Sequence, residues 1–265
     1  MKPYIRNYPS QLTSYDFLKT LAVITMIIDH LGYYIFPDQP EWRAIGRMSL
    51  PIWMFLVGYA NTREIPSIIW IGGFIIVAAN FIAGHQLLAL NILFTVAIVR
   101  YLIDLFMDVS LGNREYFSLT IMTLFLLVFP TIFLFEYGTL AILWAMAGYM
   151  LRHQEKIGWK DKYIAAFFIL VTIIYVAYQS IFFQFAIENF FIMASCVATS
   201  AYFLFNFKRE TYDIWTQKLP GFISQIIKFC GRRTLEIYVF HVVLFLGISF
   251  YLYPEEYSLF TFRLF

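Results

Sequence analysis

Ionisable side chains inside one long apolar segment are the residues best suited to chemistry in this chain. The segment 14–36 otherwise consists mostly of Leu, Val, Ile, Met, Thr and aromatic residues, and its ionisable residues are Asp16, Lys19, Asp29 and His30. A charge near the centre of a membrane helix costs roughly 2.5–3.5 kcal/mol on insertion scales. A plain anchor would not retain this set, so we expect these side chains to face a protein interior or a wet cavity.

His30 is the candidate for proton transfer, because an imidazole acts as a general base when a neighbouring group orients it. Asp29 is adjacent in sequence and therefore about 100° away around a helix, so direct pairing with His30 stays open. Lys19 lies about three helical turns before His30 on nearly the same face, and Asp16 is close enough to pair with Lys19. We interpret this polar stripe as functional, the alternative being a cluster that fixes helix packing.

Further polar residues lie in or beside other apolar runs. Arg47 either extends to lipid head groups or offers a cation to an anionic ligand. Arg63 is interpreted as a surface anchor, Asn91 as an interhelical hydrogen-bonding residue, and Arg100 as equally compatible with structure and function. Glu136 fits the start of a helix, where an acid meets the N-terminal dipole.

The last apolar run contains His241, which has no evident partner nearby in sequence and is either a packing residue or a functional one. Glu236 precedes it and is spaced to pair with Arg232 or Arg233. Cys196 and Cys230 are expected to be packing residues rather than a disulfide. The chain has no CxxC or HxxxH spacing, and we expect no metal site.

Composition places the chain among integral membrane proteins. It is 61% hydrophobic and 14% charged, with a mean hydropathy of +0.70. Soluble domains have about 25% charged residues. The first apolar segment is too long and too polar on one side for a removed signal peptide, and we expect no soluble domain at either end.

Apolar runs predict an all-α helical bundle forming a single domain over residues 1–265, with about nine transmembrane helices (range about 8–10). The predicted spans are 14–36, 45–61, 66–84, 86–107, 116–135, 137–152, 162–183, 187–207 and 234–253. The stretch 222–229 is expected to be an interfacial helix that leads into the last span.

The distribution of positive charge orients this array. Of the 19 Lys and Arg residues, all except Arg43, Arg47, Arg100 and Arg263 fall on the side that holds the N-terminus. The positive-inside rule then predicts a cell membrane protein with a cytoplasmic N-terminus and an extracytoplasmic C-terminus. On this arrangement His30 lies near the outer end of the first span and His241 in the inner half of the last.

Several short runs resemble, in order, those of the TraX family. They are Asp16-Phe17-Leu18-Lys19-Thr20-Leu21-Ala22, Met26-Ile27-Ile28-Asp29-His30, Ile45-Gly46-Arg47, Pro51-Ile52-Trp53-Met54-Phe55-Leu56, Leu90-Asn91-Ile92-Leu93-Phe94-Thr95, Glu136-Tyr137-Gly138 and Tyr238-Val239-Phe240-His241. Two positions depart from the family pattern, which often has Asp before Tyr-Gly and a Pro close before the last histidine.

The resemblance implies a polytopic acyltransferase, since the family is named for a protein that acetylates the N-terminus of conjugative pilin. The related acyltransferase-3 family has a basic residue, ten intervening residues and a catalytic histidine, which Lys19 and His30 match. The implied donor is acyl-CoA, with acetyl as the expected acyl group, and the implied acceptor is an amine or hydroxyl of a pilin-like, sugar or other cell-envelope molecule. Nucleic acid is not an expected partner.

The roles that follow from the resemblance are distributed over three groups. His30 would be the base or acyl carrier, tuned by Asp29. Cofactor phosphates would meet cations, and the acceptor would meet the remaining polar residues. The cofactor group is Lys19, Arg63 and Arg100, and the acceptor group is Arg47, Asn91, Glu136 and His241.

Two other classes of protein remain open. A small transporter or channel would also place polar residues along a helix that lines its path, although no inverted repeat is evident. A catalytically inactive assembly protein would show neither acyl-CoA binding nor solute flux. An acyl-CoA binding or hydrolysis assay separates these classes.

Overall fold

A computed structural model describes residues 9–264, and 76% of the structure is helical. The elements in chain order are β1 (Leu12–Thr13), α1 (Ser14–Tyr34), α2 (Pro40–Gly46), α3 (Ser49–Tyr59), α4 (Ser67–Ala83), α5 (Ile92–Leu111), α6 (Arg114–Ile132), α7 (Leu140–Arg152), α8 (Gln154–Ile157), α9 (Asp161–Phe183), α10 (Ile187–Phe205), β2 (Thr211–Tyr212), α11 (Asp213–Lys218), α12 (Gly221–Arg232), α13 (Thr234–Leu252) and a 3₁₀ turn (Pro254–Glu256). The strands form one short antiparallel pair, so the fold is all-α in substance.

Four helices in the described part of the chain are long and apolar enough to cross a membrane. They are Glu115–Ile132 within α6, and the helices α9, α10 and α13. The helices α4 and α7 are apolar but shorter. The helices α1 and α5 are 21 and 20 residues long, but ionisable side chains interrupt their apolar character.

Two predicted spans differ from the helices that the structure contains. The predicted span 45–61 is divided between α2 and α3 by a turn at Arg47 and Met48. The predicted span 86–107 begins late, at Ile92, because residues 84–91 form a loop whose backbone pairs with the segments around Leu134 and Arg263. The interfacial helix expected at 222–229 corresponds to α12, which is amphipathic.

The helix α3 is the centre of the core, and nearly all of its residues are buried. It packs most closely against α7, where Gly58 lies against the backbone of Ala145 and Gly148 against that of Phe55. A side chain at either glycine would collide with the opposite backbone, so small residues permit this approach. The eleven residues of α3 are fewer than the roughly 20 of a typical transmembrane helix, and its burial places it inside the bundle.

The helix α1 is fixed at both ends. At its start, Thr13 and Asp16 form a capping box, and the Asp16 carboxylate binds Arg232 at 3.0 Å. The rings of Tyr15 and Tyr59 are 6.4 Å apart there, whereas Asp29 near the other end binds Arg47. The helices α1 and α3 are therefore antiparallel, so the start of one lies beside the end of the other.

Candidate active site

The imidazoles of His30 and His241 are in direct contact, with His30 Nδ1 2.7 Å from His241 Nε2. His30 is half-buried on α1, and His241 is 5% exposed on α13. The sequence placed these two rings at different depths, and the structure shows that this was wrong. The helix α1 packs against both α12 and α13, and Thr20 Oγ1 donates to the carbonyl of Ile227 in α12 at 3.0 Å.

The hydrogen bonds of the pair determine which nitrogen remains available. His241 Nδ1 lies 2.6 Å from the carbonyl oxygen of Ile237, one turn earlier on α13. A carbonyl only accepts, so Nδ1 of His241 carries a hydrogen and its Nε2 accepts from His30 Nδ1. The neutral His30 ring then has its lone pair on Nε2, which forms no hydrogen bond with any described residue.

Aromatic rings surround the pair. The ring centroid of His30 is 6.2 Å from that of Tyr34 and 5.9 Å from that of Tyr238. His241 lies 5.5 Å from Phe245, its neighbour one turn later on α13. These rings give the imidazoles a largely apolar surrounding, in which hydrogen bonds to fixed partners are stronger than in water.

The carboxylate of Asp29, the residue before His30, binds two arginines. Its carboxylate binds Arg43 Nη1 at 2.9 Å and Arg47 Nε at 3.0 Å, and a second contact is formed with Arg47 Nη2. Asp29 and Arg47 are 4% and 3% exposed. Arg47 therefore neither extends to a head group nor faces an open cavity; its guanidinium also lies over the rings of Tyr137 and Phe183.

A cavity of about 220 Å³ approaches the histidines from one side. Lys19 and Arg100 line it, as do Tyr238 and Met26, and Met26 is one helical turn before His30. Its remaining walls are mostly apolar. We call this space the Lys19 cavity. It extends from two cationic residues to residues one turn away from the imidazole pair.

A second cavity, of about 380 Å³, lies beyond His30 at the other end of α1. Its lining includes Arg43, His85 and Glu256 together with several aromatic residues, among them Tyr34, one turn after His30. We call it the Arg43 cavity. The two linings share no residue, and His30 lines neither cavity itself. Met26, one turn before it on α1, lines the first cavity, and Tyr34, one turn after it, lines the second.

The residues predicted to hold a cofactor are only partly brought together. Lys19 and Arg100 line the same cavity, and Arg100 Nη1 donates to the carbonyl of Glu64 at 2.6 Å. Arg63 instead binds carbonyl oxygens at the end of α3, such as that of Ala60 at 2.8 Å, and pairs with Asp104. Those contacts make Arg63 a cap for α3.

The residues predicted to hold an acceptor are also divided. Asn91 caps α5 through Leu93 N and donates to the carbonyl of Gly73 at 3.0 Å. Glu136 accepts from Ile92 N at 3.0 Å, so it caps α5 rather than the helix that follows it in sequence. His241 is the member of this group that contacts His30. The predicted pairing of Glu236 is confirmed, with Arg233 at 3.0 Å.

Sequence reasoning missed the residues that complete the site. Arg43 precedes Arg47 by one helical turn, a spacing that could have indicated two arginines on one face. Ile237 is likewise one turn before His241, but no pattern shows that its carbonyl would orient the ring. Tyr34 and Trp53 gave no signal beyond ordinary aromatic residues.

Comparison with known proteins assigns the family. The family model described as TraX protein matches residues 14–219. An uncharacterized protein of Rickettsia prowazekii (strain Madrid E) is 32% identical over 142 residues, which is 53% of this chain and 56% of that relative. The match thus covers little more than half of the relative's length. No solved structure matches the chain. The family model covers most of the chain, including His30 and the group formed by Asp29, Arg43 and Arg47, which we call the Asp29 cluster. The chain therefore belongs to the TraX family.

Proposed function

We propose that this protein is a membrane acyltransferase that moves an acyl group from acyl-CoA to an amine or hydroxyl of a cell-envelope or pilin-like acceptor. The observation that carries the proposal is the imidazole pair, whose hydrogen bonds leave the lone pair of His30 Nε2 available. Family membership supports the same chemistry. Under this proposal the helices cross the cell membrane about nine times, with the N-terminus cytoplasmic and the C-terminus extracytoplasmic.

The reaction follows from the roles of the two rings. His30 Nε2 takes the proton of the acceptor as the acceptor nitrogen or oxygen attacks the thioester carbonyl carbon. The new C–N or C–O bond forms, the C–S bond breaks, and the proton passes from His30 to the leaving thiolate. His241 Nε2 accepts from His30 Nδ1 throughout and stabilises the imidazolium, while the Ile237 carbonyl holds His241.

Charge and length favour the Lys19 cavity for the donor. Its cations suit the phosphates of CoA, and its apolar walls suit an alkyl arm. Lys19 and His30 are separated by about 16 Å along the helix axis, at 1.5 Å per residue. That separation is comparable to an extended pantetheine arm, so phosphates near Lys19 would place the thioester near His30.

The Arg43 cavity is the corresponding space for the acceptor. It approaches His30 from the opposite end of α1, so an acceptor in it would reach the imidazole without displacing the donor. Asp29 acts in this scheme by fixing Arg43 and the short helix α2. It is a positioning residue, because its carboxylate binds the two arginines.

A transfer assay tests the proposal. Purified protein in liposomes is given acetyl-CoA carrying a labelled acetyl group, together with envelope material as acceptor, and both acceptor label and released thiol are measured. We expect equimolar release and transfer, abolished in His30→Ala. A folded wild-type protein that neither releases thiol nor binds acetyl-CoA would contradict the proposal, and solute flux in the same liposomes would favour a transporter.

A further inference from the structure

Trp53 combines a place in the wall of the Lys19 cavity with an unpartnered donor. Its side chain lines that cavity, and its Nε1 is buried without a hydrogen-bond partner among the described residues. Buried polar groups in proteins are nearly always satisfied, so an unmet indole N–H on a side chain that borders an open space points to an acceptor that is not part of the chain.

The antiparallel arrangement of α1 and α3 fixes the level of Trp53. Arg47, just before α3, binds Asp29, and Tyr59 at the end of α3 contacts Tyr15. Trp53 is halfway between Arg47 and Tyr59 in sequence. It therefore lies about 9 Å below Asp29 along the helix axis, between the histidines and the start of α1.

A ligand that extends from the Lys19 end to His30 must pass Trp53. In a CoA thioester with its phosphates near Lys19, the part at this level is the pantetheine arm, whose two amide groups are its only carbonyls apart from the thioester. The neighbouring walls include Leu56, Ile92 and Val96, which are apolar and suit the methylene groups of that arm.

We propose that Trp53 is a specificity-determining residue that donates its indole N–H to an amide carbonyl of the pantetheine arm. The inference rests on the proposed function, because it takes a CoA thioester as the donor. It assigns to Trp53 the recognition of the arm rather than of the acyl group. CoA, acetyl-CoA and longer acyl-CoA molecules should all depend on Trp53 to the same degree.

Binding of free CoA tests this assignment. Isothermal titration of the full-length protein in detergent is performed with wild type, Trp53→Phe and Trp144→Phe. The substitution at Trp144 makes the same change at a fully buried indole that also has an unpartnered Nε1 but does not line the cavity. We expect the Kd for CoA to rise about tenfold in Trp53→Phe and less than twofold in Trp144→Phe.

A second measurement does not require the variant to fold. Wild type should bind S-acetylpantetheine at least several-fold more tightly than a simple alkyl thioacetate of equal length, and the Trp53 indole ¹⁵N–H resonance should shift on addition of CoA. An unchanged Kd in a folded Trp53→Phe protein, or equal losses at Trp53 and Trp144, would overturn the inference while leaving the proposed function intact. A wild-type protein that does not bind CoA would overturn both.

Discussion

Asp29 and His30 are neighbours on α1, yet their surroundings differ in kind. The Asp29 carboxylate is saturated by Arg43 and Arg47 and is almost fully buried. His30 uses one ring nitrogen for His241, and its other nitrogen forms no hydrogen bond with the described residues. Both residues are costly in an apolar helix, and the sequence alone predicted that Asp29 tunes or orients His30.

The difference separates a structural charge from a candidate base. An ion pair whose partners are complete stabilises one arrangement, and here it joins α2 to α1. A group with a remaining lone pair can accept a proton from a ligand that reaches it. Inside a membrane protein it is therefore useful to separate polar groups whose hydrogen bonds are all made from those that still have a free donor or acceptor.

The largest expected effect is on activity at His30. Replacing His30 with Ala removes the base, and we expect the rate of acyl transfer to fall by roughly 10²–10⁴-fold. Stability should change little, because the ring is half-buried and makes one hydrogen bond. The measurement is labelled-acetyl transfer, with the melting temperature of the same preparation. His153→Ala, outside both cavities, is the matched control and should retain full activity.

Substitution of Asp29 should lower stability more than activity. Asp29→Asn leaves the buried Arg47 and the partly buried Arg43 without their counter-ion, and removing one partner of a buried ion pair costs about 3–5 kcal/mol. We expect a marked fall in unfolding temperature, with the transfer rate per folded molecule reduced far less than in His30→Ala. Thermal unfolding in detergent measures the unfolding temperature. The transfer rate, divided by the amount of folded protein, gives the rate per folded molecule.

The control for Asp29 is Glu236→Gln, which makes the same chemical change in an exposed pair with Arg233. Exposed pairs contribute about 0–1 kcal/mol, so its unfolding temperature should stay near that of wild type. Equal losses of stability in the two variants would remove the distinction between the Asp29 cluster and a surface ion pair.

His241 is expected to have an intermediate effect. In His241→Leu the acceptor for His30 Nδ1 is lost. Hydrogen-bond partners that orient metal-bound histidines typically contribute about 10–100-fold, and we expect a fall of similar size here. The fall should appear in kcat more than in KM, because His241 orients the base rather than binding substrate. In His241→Gln a side-chain oxygen can again accept from His30, so activity should partly return. A Gln variant no better than Leu would contradict the orienting role.

The smallest effect concerns the backbone that brings Arg47 to Asp29. A Cβ at Gly46 would collide with Asp29, so Gly46→Ala should cost about 1–3 kcal/mol of stability. Gly247 on α13 has open space around it, and Gly247→Ala should be neutral or stabilising by about 0.5–1 kcal/mol. Unfolding midpoints of the two variants, measured together, check this contrast.

The sequence predicted the helices better than it predicted the contacts between them. Apolar length located each main helix, and the ionisable residues of segment 14–36 marked α1 as the place to look. The turn at Arg47 and its contact with Asp29 were not predicted, because no rule of spacing connects residues of two different helices. The interruption at 84–91 depends likewise on backbone pairing with the C-terminal segment.

The site residues show the same limit. His30 was singled out by its type and its spacing from Lys19, which are local properties. Its partner His241 was known only as one histidine on another helix, since no rule of spacing connects residues so far apart. Glu136 was assigned to the wrong helix end for the same reason, because its bond to Ile92 N is a tertiary contact.

The most direct test of this account is the tautomer of the two rings. The chain has four histidines, so ¹⁵N NMR of histidine-labelled protein at neutral to mildly basic pH gives few signals, which His30→Gln and His241→Gln assign. We predict that both rings carry the hydrogen on Nδ1, with His30 Nε2 unprotonated and sensitive to ligands in either cavity. A His30 ring protonated on Nε2, with its Nδ1 accepting from His241, would contradict the account.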